Sequence, residues 1–256
     1  SKSFNDLRSF SARLLWNARI ESRYVEPVIA YLSVVEALNH AGAHHGVQVE
    51  IDWIQAEEVE GMLGEGRLKD LDGIVIPGGF GERGIEGKIA AAGFTRQNGI
   101  PCLGLCLGLQ CMTIDFARNV LGLERAHSSE FDPSSPHPVI DLMESQRDVS
   151  DMGGTMRLGT YVAQLKPESQ VSAIYGEDVV SERHRHRYEF NTKYLEEFAQ
   201  KGMIFSGESD DEKRMEILEV PTHKFFLGVQ YHPEFNSRPG FPEDAFKTFV
   251  TIASQN

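Results

Sequence analysis

The sequence predicts an α/β protein with a mostly parallel central sheet flanked by helices in three layers, plus added antiparallel strands. Short apolar runs alternate with stretches of helical period through the first half of the chain, the pattern of βαβ units with right-handed crossovers. Two glycine-rich turns, at 77–81 and 104–108, directly follow such apolar runs. Because sites in parallel sheets form at the carboxyl ends of strands, we expect a functional site where these turns meet.

The first half of the chain supplies the parallel strands and their crossover helices. Leu7, Phe10 and Leu14 stand at helical spacing, so residues 1–17 are predicted to form an amphipathic helix. We interpret 1–19 as a linker and 20–256 as one α/β domain, whose rather polar first strand is expected at 19–24. Periodicity and stop signals then predict helices at 28–40, 56–63, 86–97 and 108–121, and strands at 47–51, 71–76 and 100–105.

The second half of the chain differs in character. Residues 127–138 are rich in proline and serine and are predicted to be a loop over the sheet. Asn191 is the expected N-cap of one helix, and Phe246 and Phe249 should face inward from the last one. The predicted elements are helices at 191–201 and 242–253, and strands at 155–165, 171–175, 203–206, 215–220 and 225–231.

Composition and charge exclude several classes of protein. The 256 residues are 41% hydrophobic and 25% charged, as in an ordinary globular protein with ample material for a core. A net charge of −13 argues against nonspecific binding to nucleic acid or to anionic membranes. No apolar run approaches the ~20 residues of a membrane-spanning helix, and the polar N-terminal stretch does not resemble a signal peptide.

The three cysteines, Cys102, Cys106 and Cys111, fall within ten positions. An odd, clustered set does not form a disulfide framework, which indicates a reducing compartment and favours a cytoplasmic location. The spacing contains no Cys-x-x-Cys pair, and Cys102 and Cys106 fall on different predicted elements. We therefore expect no metal site here.

Cys106 is the candidate nucleophile. It lies in a G-x-C-x-G pattern between a predicted strand and a predicted helix, so a sharp turn should push its side chain outward. A helix N-terminus also favours the thiolate over the thiol. The commonest role of a free cysteine is that of a small core residue, but Gly104 and Gly108 on either side favour the nucleophile.

A thiolate nucleophile needs a base, a group that orients the base, and donors for the developing oxyanion. His232 and Glu234 stand two positions apart at a predicted strand end, so an extended backbone would direct both side chains to one face. A surface strand end is the alternative for this short motif. With Cys106 at the same sheet edge, the pattern favours a Cys-His-Glu triad.

The turn at 77–81 is the candidate oxyanion hole. A Gly-Gly pair just past a strand can turn a backbone N–H into the site, and we expect Gly79 N–H and Leu107 N–H to be the two donors. No G-K-[ST] follows, which opposes a phosphate loop. An ordinary tight turn stays open as an alternative.

Together these motifs resemble those of the class I, or triad, glutamine amidotransferases. Further stretches narrow the resemblance to the glutaminase domains of CTP synthases, at 30–34, 79–88, 116–121, 153–159, 182–189 and 230–235. The runs at 153–159 and 182–189 are very specific to that family. The resemblance extends from about residue 25 to the C-terminus and implies a flavodoxin-like three-layer fold.

The resemblance also implies a reaction. Cys106 would attack the side-chain amide of glutamine and release ammonia, and water would then hydrolyse the glutamyl thioester with His232 as proton carrier. Glu130 would bind the amino-acid end of the substrate and Arg187 could hold its carboxylate, in agreement with the need for one anion and one cation. The implied glutamine-binding residues are Gly79, Leu107, Gly108, Leu109, Gln110, Glu130 and Arg187.

The arginine-histidine run at 182–189 has other interpretations. It is also typical of a solvated basic face or a nucleic-acid patch, but Glu182, Glu189 and the net charge oppose nucleic acid. Alternation should place His184 and His186 on one face without carboxylate or thiolate company, so no metal is expected there.

For the intact family protein, the resemblance implies an N-terminal synthase half that is absent here. That half would use ATP and Mg²⁺ to phosphorylate UTP, accept the ammonia and form homotetramers. The activator GTP would lie where Arg83, Gly84 and Glu86 meet the synthase half. This domain itself is expected to need no cofactor.

Two competing functions stay open. A free-standing hydrolase of the same fold, such as a γ-glutamyl peptidase, would accept larger γ-glutamyl substrates and would not need the runs at 153–159 and 182–189. A catalytically silent regulatory domain is the other alternative. The intact Cys106, His232 and Glu234 oppose it.

Overall fold

The computed structural model describes residues 9–16, 31–64, 68, 71–79, 81–142, 156–210 and 213–255. Two sheets are formed by these residues. In sheet order, the larger one contains β2 (Gln48–Gln55), β1 (Ser9–Trp16), β3 (Gly73–Ile76), β4 (Cys102–Leu105), β12 (Phe226–Val229), β11 (Met215–Glu219), β10 (Ile204–Ser209), β7 (Arg157–Leu165) and β8 (Val179–His186). The smaller one contains β5 (His127–Ser128), β6 (Pro138–Leu142) and β9 (Tyr188–Phe190).

The large sheet combines a parallel and an antiparallel part. All neighbours from β2 through β1, β3 and β4 to β12 pair in parallel, whereas those from β12 through β11, β10 and β7 to β8 pair antiparallel. This confirms the predicted fold class. The carboxyl ends of β3, β4 and β12 lie side by side in the parallel part, so the segments that follow them meet at one edge.

Seven helices cover the two faces of the sheet in the described part of the chain. They are α1 (Leu32–His45), α2 (Val59–Gly64), α3 (Ile85–Asn98), α4 (Leu107–Asn119), α5 (Gln170–Tyr175), α6 (Leu195–Gln200) and α7 (Asp244–Ala253). The core has two layers: α1 and α7 pack on one face with Val75, and α2, α3 and α4 pack on the other with Ile74 and Ile76. Phe246 and Phe249 are fully buried, as predicted. None of the described helices is both long and apolar enough to cross a membrane.

The stretch at 9–16 is a strand, so the linker helix predicted over 1–17 is wrong for these residues. Strand β1 pairs with β2 along its whole length and with β3 from Ala12 to Leu14. The sequence of 9–16 fits period two as well as helical spacing, and short apolar runs do not distinguish the two. The stretch belongs to the sheet and not to a linker. Residues 1–8 and the strand expected at 19–24 lie outside the described residues.

The segment at 170–175 is helix α5, so the strand predicted at 171–175 is also wrong. The side chain of Ser169 accepts a hydrogen bond from Ser172 N–H and caps the helix. The Glu219 carboxylate, reaching over from β11, accepts hydrogen bonds from the N–H groups of Gln170 (3.1 Å) and Val171 (3.0 Å). These hydrogen bonds satisfy N–H groups in the first turn of the helix. Their contribution outweighs the preference of the β-branched Val171 and Ile174 for a strand.

Candidate active site

Cys106 occupies the turn between β4 and α4 in a strained conformation. Its φ of 52° and ψ of −102° are unusual for a residue other than glycine. Its N–H donates to the Val229 carbonyl at 2.7 Å, which ties the turn to the end of β12. The geometry has the form of a nucleophile elbow.

The glycines around the elbow allow close packing. A Cβ on Gly108 would lie 2.0 Å from the carbonyl oxygen of Ile76, and one on Gly104 would lie 2.3 Å from the sulfur of Met112. Both positions therefore require glycine so that α4 can pack directly against β3 and β4. Their role is to let the backbone elements approach, rather than only to keep bulk away from the Cys106 sulfur.

His232 connects the elbow to Glu234. Its Nδ1 lies 2.8 Å from Glu234 Oε1, and both its ring and Cys106 pack against Gly78, close enough for Cys106 to raise the pKa of the imidazole. The backbone here is not the extended strand end that we predicted, because Pro233–Phe235 form a 3-10 turn. This turn brings Glu234 back onto the imidazole, so the three side chains of the predicted triad are in contact.

The environment of His232 favours its protonated form. Burial alone would lower its pKa, but the hydrogen bonds and charges of Cys106 and Glu234 outweigh burial and raise the pKa to about 10. An imidazole with this pKa carries its proton at pH 7. Protonated His232 can therefore stabilise negative charge that develops on the sulfur and can later donate its proton to a leaving group.

Two glutamines support the sulfur, and the sequence reasoning did not assign them this role. Gln230 is fully buried, and its Nε2 donates towards Cys106 Sγ at 3.7 Å. Gln110 Nε2 donates to the Tyr188 carbonyl at 3.1 Å and to Gln230 Oε1 at 3.4 Å. This chain of amides links the elbow to β9, whose residues are distant in sequence, so no local motif reveals it.

A small cleft, with a cavity volume of about 50 Å³, opens beside the sulfur. Five of the predicted binding residues line it, as do four residues without a predicted role. The first group is Gly79, Leu107, Gln110, Glu130 and Arg187, and the second is Met156, Arg185, His186 and Tyr188.

Two predicted binding residues, Gly108 and Leu109, do not line the cleft. Leu109 has a fully buried side chain in the hydrophobic core, and Gly108 faces the end of β3. The side chain of Leu109 and the missing side chain of Gly108 let the elbow pack closely onto the sheet. A role in substrate binding through their backbone stays a prediction.

Glu130 and Arg187 place opposite charges in the same cleft. Burial raises the pKa of the Glu130 carboxyl, and the nearby Arg187 guanidinium opposes that shift. A ligand that carries an ammonium and a carboxylate would complement both groups. The cleft therefore has the polarity expected for a free amino acid, with the Cys106 sulfur at one side.

The residues that carry the candidate oxyanion donors belong to the same cleft. Gly79 and Leu107 both line the cleft beside Cys106. Gly78 packs this turn directly against the triad, because a Cβ there would lie 3.1 Å from His232 Cε1 and 3.6 Å from Cys106 Cβ. The predicted use of Gly79 N–H and Leu107 N–H is compatible with this arrangement.

Residues 182–186 of the arginine-histidine run lie in β8 and alternate between a buried and an exposed face. His184 and His186 are buried, and their Nδ1 and Nε2 atoms are 3.0 Å apart. The expectation that no carboxylate accompanies them was wrong, since Glu216 Oε2 lies 3.6 Å from His184 Nδ1. Glu216 belongs to β11, which pairs in the same sheet but is distant in sequence, so spacing within the run did not reveal it.

These three side chains lie close enough to hold a metal ion, but their partners favour a hydrogen-bond chain. His186 Nδ1 lies 3.1 Å from the Tyr188 carbonyl, which can only accept, so this nitrogen carries a hydrogen. Burial, with a further contribution from the Arg157 guanidinium, lowers the pKa of His186 to about 3. His186 is therefore neutral, and its Nε2 accepts a hydrogen bond from His184. The Arg157 guanidinium also lies 3.2 Å from the Glu216 carboxylate, and its positive charge opposes the binding of a metal cation by these three side chains.

Comparison with known proteins identifies the class to which this fold and site belong. Residues 28–252 match the family model "Glutamine amidotransferase class-I". The chain is 52% identical to the CTP synthase of Roseiflexus castenholzii over 99% of its own length and 47% of the relative's, and 52% identical to that of Streptococcus thermophilus over 91% and 44%. The chain belongs to the class I glutamine amidotransferase family.

A solved structure narrows the assignment. The glutaminase domain of Trypanosoma brucei CTP synthase with bound acivicin superposes with a TM-score of 0.88 and 35% identity, covering 96% of this chain and 94% of that one. Within its family, the chain is therefore a glutaminase domain of the CTP synthase type. It spans slightly less than half the length of the curated CTP synthases that it matches.

Proposed function

We propose that this chain hydrolyses L-glutamine to glutamate and ammonia through a thioester on Cys106. As part of a CTP synthase, a ligase, it would supply that ammonia for the amination of UTP to CTP. The observation that carries the proposal is the contact of Cys106, His232 and Glu234 at a cleft that also contains Glu130 and Arg187.

The geometry supports a two-stage reaction. The Cys106 thiolate attacks the amide carbon, and the Gly79 and Leu107 N–H groups stabilise the oxyanion. Protonated His232 donates its proton to the leaving nitrogen, so ammonia departs and a glutamyl thioester remains. His232 then accepts a proton from water, and the water attacks the thioester carbon. Glutamate is released and the Cys106 thiolate is regenerated. Glu234 holds the imidazole in position throughout.

The remaining partners of a CTP synthase belong to the same proposal. A synthase half would bind ATP and Mg²⁺ and form a homotetramer, and GTP would activate at the junction near Arg83 and Glu86. In this chain Arg83 pairs with Glu57, and Glu86 pairs with Arg118, so both side chains already have protein partners. The cytoplasmic location also stays a prediction.

Release of glutamate from glutamine by the purified chain tests the reaction. We expect slow turnover that is lost in Cys106→Ala and His232→Ala while thermal unfolding is unchanged. A preference for larger γ-glutamyl peptides over glutamine would favour the free-standing hydrolase. Equal rates for the wild type and Cys106→Ala would overturn the proposal.

A further inference from the structure

Lys88 is a charged side chain inside the core, next to the candidate oxyanion turn. It lies in the first turn of α3, and its side chain is fully buried. Its Nζ donates a hydrogen bond to the carbonyl oxygen of Pro77 at 3.2 Å. Pro77 is the first residue after β3 and directly precedes Gly78 and Gly79.

An apolar side chain would be easier to bury at this position. Taking an ammonium group out of water costs several kcal/mol unless its new partners compensate. Burial lowers the pKa of Lys88 to about 8, so the side chain is still mostly protonated at pH 7. The fold therefore keeps a cation buried beside the candidate oxyanion turn, and the groups around Lys88 indicate what this cation does.

The thiols around Lys88 point to Cys106 as its electrostatic partner. After burial, which lowers the pKa of Lys88, the further influences on this pKa are the charges of Cys111 and then Cys106, both of which favour its ammonium form. Burial raises the pKa of Cys111 to about 12, so Cys111 is a neutral thiol at pH 7. Cys106 is the one of the two that takes part in the triad, and it packs against Gly78, the residue after the Pro77 that Lys88 contacts. The charge of Lys88 therefore lies close to the reactive side chain.

The hydrogen bond from Lys88 to the Pro77 carbonyl acts on the turn that contains Gly79, the candidate oxyanion donor. A peptide unit is planar, so fixing the Pro77 carbonyl also fixes the direction of the Gly78 N–H. Glycine has more backbone freedom than other residues, so this bond restricts how the peptides of the Gly78-Gly79 turn can reorient. Gly78 adjoins His232 and Cys106, and Gly79 lines the cleft.

We propose that Lys88 is a positioning residue for glutamine hydrolysis. Its ammonium group holds the Pro77 carbonyl so that the turn at 78–79 keeps its amides on the cleft, and its positive charge stabilises negative charge on Cys106. This role rests on the proposed function and adds a residue that does not touch the substrate.

Two substitutions separate the two effects. Lys88→Met removes the charge and the donor, whereas Lys88→Gln removes the charge and keeps an N–H group. In folded Lys88→Met we expect kcat to fall at least about tenfold, within the range for weakened oxyanion stabilisation, with KM changed less than about threefold. Lys88→Gln should keep more of kcat. Both variants should react more slowly than the wild type with iodoacetamide at pH 7.

The alkylation rate tests the effect of Lys88 on Cys106 independently of the proposed function. If the wild type does not hydrolyse glutamine, the proposed function fails, but the alkylation rates still report the effect of Lys88 on Cys106. Lys201→Met, on an exposed lysine, is the matched control and should behave as the wild type. If Lys88→Met does not fold, Lys88→Gln carries the same comparison. A folded variant with wild-type kcat and alkylation rate would overturn the proposal.

Discussion

Cys106 and His232 are both held in states that they would not adopt alone. A non-glycine residue at φ 52° costs on the order of 1–3 kcal/mol, and packing between β4 and α4 maintains it. A buried imidazole would ordinarily lose its proton, yet Glu234 and Cys106 keep it charged. The reactive pair therefore depends on its neighbours, and small changes among them should have measurable effects.

Glu234→Gln tests the source of the charge on His232. The carboxylate raises the pKa of the imidazole, so its removal should lower that pKa from about 10 and weaken proton donation to the leaving nitrogen. Titration of the His232 ring by NMR should show a lower midpoint than in the wild type, together with a reduced kcat.

Glu177→Gln, which changes an exposed carboxylate, is the control for this titration. An unchanged His232 midpoint in Glu234→Gln would show that the carboxylate does not set the protonation state.

Single elements depend on residues far away in the sequence. Helix α5 illustrates this, because the Glu219 carboxylate on β11 satisfies two of its first-turn N–H groups. Val171 and Ile174 in the same segment favour a strand by propensity. A partner almost fifty positions away therefore decides the conformation, and no window of sequence around 170–175 contains that information.

Glu219→Ala should destabilise the protein by about 2–4 kcal/mol, because it leaves two N–H groups of α5 without their acceptor. Urea denaturation measures the loss, and hydrogen exchange should show it first at 170–176. Glu177→Ala, on an exposed residue just beyond α5, should change stability by less than about 0.5 kcal/mol. Equal midpoints for the two variants would refute the capping role of Glu219.

Across the whole molecule, the sheet brings together parts of the site that the sequence specifies separately. The elbow at Cys106, the motif at His232 and Glu234, and the fold class were predicted because each leaves a local pattern of glycines, apolar runs or alternation. Two contacts were not predicted: the pairing of Glu216 with His184, and the hydrogen bond from the Gln230 amide to Cys106 Sγ. Both arise only when strands that are distant in sequence pair. The same limit explains the error at β1, whose conformation is set by its neighbours β2 and β3.

A chain shortened to begin at residue 20 tests the place of β1 in the domain. Such a chain lacks the strand between β2 and β3 and leaves the hydrogen-bonding groups of both without a partner. We expect loss of the cooperative thermal transition by circular dichroism, and aggregation in size-exclusion chromatography. A chain that begins at residue 6 retains β1 and should melt as the full chain does. Identical melting of both shortened chains would contradict the assignment of β1.

The residue that reacts with an electrophilic glutamine analogue identifies the nucleophile directly. Cys102 and Cys111 serve as internal controls, because both are fully buried and burial raises the pKa of each thiol to about 12. Peptide mass spectrometry should find the adduct on Cys106 alone, with none in Cys106→Ala and much slower formation in His232→Ala. An adduct on another residue, or equal labelling of Cys106→Ala and the wild type, would contradict the claim that Cys106 is the glutamine-directed nucleophile.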